Sequence, residues 1–225
     1  MTDLRSKSFS FRAISGIWIF LILSGIGIIS GAFSVFGAET ADVVDYRTFF
    51  GFDPRTTVWI IAELHLMFGA FVLGVPMFAV TVEYVGVLTK EERYDRLAKD
   101  FTRLLSASFA LTAALGGLLT FALFTLYPKV MTFMSGIFHE SFYIYAFFFF
   151  GETFVLYFYY YSWDRLKNRK GIHISAGVLL NIIGLIIMGI SNSWATYMMS
   201  PSGIDPGTMK FTGTLMDAIW NPLWN

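Results

Sequence analysis

The stretch from residue 57 to residue 88, TVWIIAELHLMFGAFVLGVPMFAVTVEYVGVL, has only three acidic or histidine side chains, Glu63, His65 and Glu83, and no lysine or arginine. A helix rises about 1.5 Å per residue and a bilayer core is about 30 Å thick, so roughly 20 apolar residues cross it. This stretch therefore predicts a membrane-spanning helix that is long enough to tilt or to protrude.

Four further stretches have the same character, and the composition agrees with them. Of the 225 residues, 56% are hydrophobic and only 14% are charged, which is far from the average of soluble domains. We expect an all-α integral membrane protein with five transmembrane helices, at residues 13–37, 57–88, 104–127, 130–163 and 172–199. We expect a single membrane domain over 1–225, made of an N-terminal helix and outer loop (1–55), a four-helix bundle (56–200) and an outer-face tail (201–225).

Lysine and arginine are concentrated on one side of the predicted membrane. Of the 16 such residues, twelve precede the first span or lie at 90–103 and 165–170, and cytoplasmic flanks retain positive charge. We therefore expect a multi-pass protein of a bacterial-type inner membrane with a cytoplasmic N-terminus. The alternative for the first span is a cleaved signal peptide. The net charge of zero gives no argument for nucleic acid, and no such partner is expected.

Cysteine is absent from the sequence. Disulfides, thiolate metal sites and covalent c-type haem attachment are therefore excluded for this chain.

His65 lies about ten residues into its span, roughly 10–15 Å below the expected outer surface. A neutral imidazole there suits an axial haem ligand, because one ring nitrogen can bind iron while the small residues Gly69 and Gly74 let a flat macrocycle approach. A hydrogen bond to a neighbouring helix would explain the same histidine without a cofactor. Spacing alone leaves both interpretations open.

Glu152 lies near the middle of its span, far from either aqueous end. An ionisable group at such a position costs roughly 2.5–3.5 kcal/mol on insertion scales, so it requires a reason. It could carry protons, or it could be a protonated hydrogen-bond donor between helices. Glu140 comes twelve residues earlier, about 18 Å away and roughly 120° around the helix, so the two could line a path but cannot pair.

The other ionisable residues have simpler interpretations. His139 lies at a depth comparable with that of His65, where it could be a second ligand, contact a haem propionate, or mark a polar helix end. Glu83 shares a helix face with His65 about 27 Å away, and we expect it to reach towards the basic residues beyond its span. His173 opens the last span beside Lys170, and we expect it to be solvated.

Several residues occur together in an order that is typical of one family. Arg55, His65 and Glu83 are one spaced set, and Glu152 with the Trp-Asp-Arg-Leu segment at 163–166 is another. The remaining landmarks are Phe109-Ala110-Leu111, Ser191-Asn192-Ser193-Trp194 and Asn221-Pro222. Together they resemble the N-terminal half of subunit I of cytochrome bd oxidases, with the first span as an addition outside the match.

The resemblance implies a cytochrome bd subunit I-like bundle and roles for individual residues. In that family, the histidine that matches His65 is an axial ligand of a high-spin haem iron, so the implied cofactor is a b- or d-type haem. The glutamate that matches Glu152 belongs to a polar track that feeds protons to the haems, and Glu140 is a second candidate there. Arg55 would lie near haem propionates or the outer entrance, and His139 is a further candidate for haem binding.

Some positions depart from the family pattern. Residues 120–127, TFALFTLY, stand where a glutamate and a glycine-asparagine-tryptophan-type segment are expected. Ile144 stands where a second membrane glutamate is expected, and it is open whether Glu140, one turn earlier, replaces it. The sequence ends at Asn225, before the family's low-spin haem histidine and quinol-binding loop. We therefore expect either half of a split subunit I or a shortened paralogue beside a full one.

The leading hypothesis is a haem-binding membrane subunit of a cytochrome bd-like terminal oxidoreductase. It would pass electrons to oxygen together with partner subunits, with quinol or a c-type cytochrome as donor. The alternative is a haem-free structural paralogue that stabilises a full-length catalytic subunit. A small transporter that uses Glu152 for proton coupling would explain the buried carboxyl group, but neither the landmarks nor His65.

Overall fold

The computed structural model describes residues 48–49 and 51–224. The predicted span at 13–37 lies outside them. Four long helices follow one another, and each is long and apolar enough to cross a membrane. They are α1 (Pro54–Thr89), α2 (Glu92–Leu126), α3 (Pro128–Tyr161) and α4 (Lys170–Met199). A two-stranded hairpin follows, made of β1 (Ile204–Asp205) and β2 (Lys210–Phe211), and then a short helix, α5 (Leu215–Ile219). The fold is all-α apart from this hairpin, as expected, with four of the five predicted spans among the described residues.

The four long helices run alternately up and down. Helix α1 packs mainly on α2 and also on α4, and α3 packs mainly on α4 and also on α2, so α1 and α3 lie on one diagonal of the bundle. We call the end that contains the turns at 90–91 and 162–169 the basic end, and the other end the far end. Large apolar side chains remain exposed along all four helices, which is the surface that a protein in lipid presents.

Helix α1 begins at a capped turn. Asp53 accepts hydrogen bonds from the backbone N–H of Thr56 (3.0 Å) and from its hydroxyl group (2.6 Å), and these bonds hold the pKa of Asp53 below its usual range. Pro54 takes the first helical position, where its missing N–H costs nothing. At the basic end, Lys90 has a φ of 58° and terminates the helix.

Helix α2 begins twelve residues before the predicted span at 104–127. Residues 90–103 were expected to form a connection, but α2 starts at Glu92, so only residues 90 and 91 lie between the helices. The prediction was wrong because hydropathy marks where a helix enters lipid, not where the helix itself begins. Residues 92–103 alternate charged and apolar side chains at helical spacing, with Ala98 and Thr102 buried.

The core of the bundle lies midway between its ends. Its buried members come from every long helix: Val72, Val75, Leu105, Phe109, Leu156 and Leu180. A second cluster at the far end joins α3 and α4 to the tail through Phe138, Tyr197 and Ala218.

The tail packs against the bundle instead of only lying over it. Thr214 and Asp217 form a capping box at the start of α5. Asn221 is fully buried, and its amide donates to the Thr196 hydroxyl at 2.8 Å. A β-carbon built at Gly189 would lie 3.7 Å from Trp224. The chain after α5 therefore runs back beside α4, to a level about ten residues before the end of that helix.

Candidate functional site

His65 lies on the side of α1 that faces α2. Its Nδ1 atom is 3.0 Å from the backbone carbonyl oxygen of Thr112. Because a carbonyl oxygen only accepts hydrogen bonds, Nδ1 must carry the proton, and in a neutral ring Nε2 then keeps its lone pair. No hydrogen bond to Nε2 occurs in the described part of the chain. The bond to Thr112 therefore fixes the tautomer that a histidine needs in order to bind a metal through Nε2.

Gly116, one turn after Thr112, lets the imidazole ring approach α2. A β-carbon built at Gly116 would lie 2.9 Å from Cε1 of His65, which is closer than real contacts allow. The ring is therefore held between the hydrogen bond to Thr112 and the bare backbone at Gly116. A haem iron already has four ligands from its macrocycle, so a single oriented imidazole is the protein ligand that it requires. The arrangement of His65 fits that requirement.

Glu152 is buried on α3, with 6% of its surface exposed. Its carboxyl group makes no hydrogen bond with any described residue. Gly184 on α4 gives it room, since a β-carbon built there would lie 3.2 Å from Oε1 of Glu152. A buried carboxyl group without a protein partner is costly unless it is protonated or water reaches it.

A narrow cleft borders Glu152. Val72, Pro76, Asn181 and Gly184 are among the residues that line it, and its free volume is about 10 Å³, which is close to the room that one water molecule needs. Pro76 lies inside α1 and has no N–H, so the carbonyl group of Val72 lacks its usual helical donor. The amide of Asn181 donates to the carbonyl of Gly177 at 2.8 Å. The cleft thus offers polar groups to a water molecule beside the carboxyl group.

Helix α1 carries His65 and also forms one wall of the cleft beside Glu152. Val72 lines the cleft and comes seven residues after His65, which is two turns and about 10 Å towards the basic end. Seven residues also bring a position back to the same helix face. The structure therefore places the carboxyl group within reach of the α1 face that carries His65, although no direct bond joins the two residues.

Arg55, His139 and Glu140 are not gathered around His65. All three are exposed. Arg55 lies in the first turn of α1, and His139 contacts the ring of Tyr143 at 5.4 Å between centroids. Glu140 and the buried Glu152 lie on different sides of α3, as their spacing predicted.

Five residues form a polar network at the basic end. The sequence singled out three of them, Glu83, Lys170 and His173, but did not predict that they meet. Glu83 is buried and accepts hydrogen bonds from Lys170 (2.9 Å) and the Tyr159 hydroxyl (2.8 Å), and its Oε1 is 2.7 Å from Nδ1 of His173. Lys170 also pairs with Asp95.

The expectation that His173 is solvated was wrong. Glu83 does reach a basic residue beyond its span, Lys170, but it meets Lys170 inside the bundle and not in solvent. Glu83 is 1% exposed and His173 is 0% exposed, so neither side chain reaches solvent. The two residues are 90 positions apart, and only the packing of α1 against α4 brings them together. The three-residue spacing of Lys170 and His173, which places both on one helix face, was the one signal that the sequence contained.

Among the described residues there is no group of three or more His, Cys, Asp or Glu side chains that could hold a metal ion.

The family model of Cytochrome bd terminal oxidase subunit I matches residues 54–225 of this chain. The match begins at the first residue of α1 and extends through all four long helices and the tail. No curated protein matches the chain.

Proposed function

The chain belongs to the cytochrome bd terminal oxidase subunit I family, and from that membership we propose that it is a haem-binding membrane subunit of a cytochrome bd-like terminal oxidoreductase. In this role it passes electrons to oxygen together with partner subunits. The observation that carries the proposal is the His65 ring, which donates from Nδ1 to Thr112 and leaves Nε2 free. His65 is only half-buried, so this free nitrogen is open to a ligand.

In this proposal, His65 is the axial ligand and α2 is its support. Thr112 sets the orientation and the tautomer of the ring, and Gly116 allows the ring to lie close to the helix. When bound, a b- or d-type haem supplies the iron that exchanges electrons. The protein's contribution at this position is to present Nε2 with its lone pair in a fixed direction.

Glu152 holds a proton that can be passed on. A protonated carboxyl group in the cleft donates to a water molecule, and ionisation is transient because the surroundings are apolar. Val72, whose carbonyl group lacks an N–H at residue 76, and Asn181 line the same cleft and would help to hold that water. No described residue forms a hydrogen bond with the carboxyl group of Glu152. This supports a role in proton transfer, because a carboxyl group that only joined the described helices would bond to one of them.

The exposed polar residues are proposed to work at the rim of the site. Arg55 would lie near haem propionates or the outer entrance, His139 would be a further haem contact, and Glu140 would be an additional proton group. Residues 1–225 would form one membrane domain, with the N-terminus in the cytoplasm and the far end outside a bacterial-type inner membrane. The donor would be quinol or a c-type cytochrome that docks on the complex.

A second candidate is a haem-free subunit that stabilises a full-length catalytic partner. Glu63, His139 and Glu140 are exposed within membrane-spanning helices, where lipid would leave them unsatisfied. A partner subunit that covers them explains these positions whether or not haem is bound.

One measurement separates the two candidates. The chain is purified with its co-purifying partners, and haem is extracted and quantified per chain from the visible spectrum of its pyridine complex. The proposal predicts haem in a fixed ratio to this chain, which the His65→Ala variant loses in part. A well-assembled complex whose haem content does not depend on His65 would instead support the structural subunit.

A further inference from the structure

Glu83 and His173 form a buried pair that the proposed function does not use. Glu83 comes from α1 and His173 from α4, and both side chains are completely buried at the basic end. Their contact, 2.7 Å between Oε1 and Nδ1, is the closest approach of two titratable groups between these helices in the described part of the chain.

The protonation of the pair follows from its hydrogen bonds. Nε2 of His173 lies 2.8 Å from the backbone carbonyl oxygen of Tyr159, which only accepts, so Nε2 carries a hydrogen. Between Nδ1 and Oε1 there must then be one more proton. With none, a nitrogen lone pair would face a carboxylate oxygen. A second proton would have to lie on Oε2, where the Tyr159 hydroxyl would then accept instead of donate.

We propose that Glu83 and His173 form a proton-binding site at the basic end of the bundle, which holds one shared proton between Oε1 and Nδ1. The proton belongs to the pair and not to either residue. Whether it lies on the nitrogen or on the oxygen, the hydrogen bond is kept and the total charge of the pair is zero.

The groups around the pair favour this single proton. On α2, Asp95 is negative, and on α4, Lys170 is positive and bonds to both Asp95 and Glu83. On α3, the Tyr159 hydroxyl donates to Oε2 of Glu83. Lys170 and Asp95 balance each other, so a pair with one shared proton makes the whole group neutral. Adding or removing a proton would leave an uncompensated charge in a site with no exposure to water.

This site is separate from Glu152. Tyr159, which bonds to the pair, comes seven residues after Glu152 on α3. The buried side chains of Leu156 and Leu180 belong to the apolar core that lies between the pair and Glu152 along the helices. The described residues therefore form no continuous polar path from the pair to the Glu152 cleft, and the inference does not depend on haem binding or on proton delivery.

The shared proton has a structural consequence, because the network joins all four long helices. The pair links α1 to α4, Tyr159 connects it to α3, and the pairing of Lys170 with Asp95 connects it to α2. Losing the proton at high pH breaks the link between Glu83 and His173. Adding a second one at low pH keeps that link but leaves an uncompensated positive charge at a buried pair. We therefore expect the basic end to be most stable at intermediate pH.

The test is the thermal unfolding midpoint of the purified full-length chain in detergent, measured from about pH 5 to about pH 9. The wild type should show a maximum and fall by roughly 5 °C towards each end. In Glu83→Gln, the amide nitrogen can donate to Nδ1 of a neutral His173, while Lys170 loses its acceptor on residue 83 and keeps Asp95. No shared proton is then needed, so the midpoint should be lower but the fall at high pH should disappear. Tyr159→Phe should lower the midpoint at every pH without changing the shape of the curve.

Asp164→Asn is the matched control, since it breaks an exposed ion pair with Lys99 at the same end and should leave the curve unchanged. A flat wild-type curve, or the same fall at high pH in Glu83→Gln, would overturn the proposal. If Glu83→Gln does not fold, nitrogen NMR of histidine-labelled wild type decides, because the chain has only three histidines. The proposal predicts a bridging proton at Nδ1 of His173 near neutral pH, and a bare Nδ1 beside an ionised Glu83 contradicts it.

Discussion

Glu152 on α3 lies directly against Gly184 on α4, so close that a β-carbon at residue 184 would stand 3.2 Å from Oε1 of the carboxyl group. Because residue 184 is glycine and has no side chain, the carboxyl group can lie in the space beside α4 that a side chain would otherwise fill. The position of Glu152 in the cleft therefore depends on both helices. A substitution at Gly184 on α4 can test the role of Glu152 without changing Glu152 itself.

Gly184→Ala should displace the carboxyl group from the cleft without removing it. If Glu152 transfers protons, turnover of the assembled complex should fall by about tenfold or more, because a small displacement of a reacting group is costly. Haem content should be retained. Gly136→Ala is the control, since a β-carbon built at Gly136 meets nothing within 4 Å. Equal turnover in the two variants would show that the position of the carboxyl group is unimportant.

Glu152→Gln keeps the size of the side chain and removes its exchangeable proton. Turnover per assembled haem should fall by about a hundredfold if the proton is transferred in a limiting step, whereas packing and assembly should survive. Asp164→Asn, at an exposed position of the basic end, should leave turnover unchanged. Wild-type turnover in Glu152→Gln would mean that the carboxyl group is structural and that protons take another route.

Asn221→Ala should loosen the tail from the bundle. The amide of Asn221 donates to the Thr196 hydroxyl, and its carbonyl accepts from the backbone N–H of Leu223 at 3.1 Å. Removing the amide deletes both bonds, although the Thr196 hydroxyl still donates to the carbonyl of Asn192 and Leu223 is exposed, so the loss costs about 0.5–1.5 kcal/mol per bond. Limited proteolysis should then cut the tail faster than in the wild type. Exposed Met216→Ala is the control, and equal rates for both variants would show that Asn221 does not hold the tail.

The topology can be tested with single cysteines, because the chain has none of its own. Cysteines at Met209, which is 74% exposed in the hairpin, and at Arg169 in the turn of the basic end should react from opposite sides of the membrane. The positive-inside rule predicts that Met209 is labelled in intact cells and Arg169 only after permeabilisation. Labelling of both from one side would refute the predicted orientation.

The sequence predicted the four spans within the described residues well, because lipid imposes a simple requirement on length and polarity. The predicted stretch at 57–88 differs from α1, Pro54–Thr89, by only a few residues at its ends. The start of α2 at Glu92 was missed, because the charged residues before position 104 leave the membrane while the helix continues.

The candidate site could be predicted only in part, because a sequence shows which residues are unusual but not what they touch. His65 and Glu152 were identified from their cost in a membrane, yet their partners, Thr112 and Gly184, carry no chemical signal of their own. The network of Glu83 and His173 depends on a contact between distant helices. Each residue alone lies near a helix end, where a solvated side chain was the simpler interpretation.

The central claim is that His65 binds haem iron through Nε2, and His65→Gly tests it most directly. The purified complex of this variant should lose one high-spin haem signal while the chain still inserts, and added imidazole should restore that signal by occupying the space of the missing ring. Leu66→Ala, at an exposed neighbour, should keep the wild-type spectrum. An unchanged ratio of haem to protein in His65→Gly, with or without imidazole, would contradict the account.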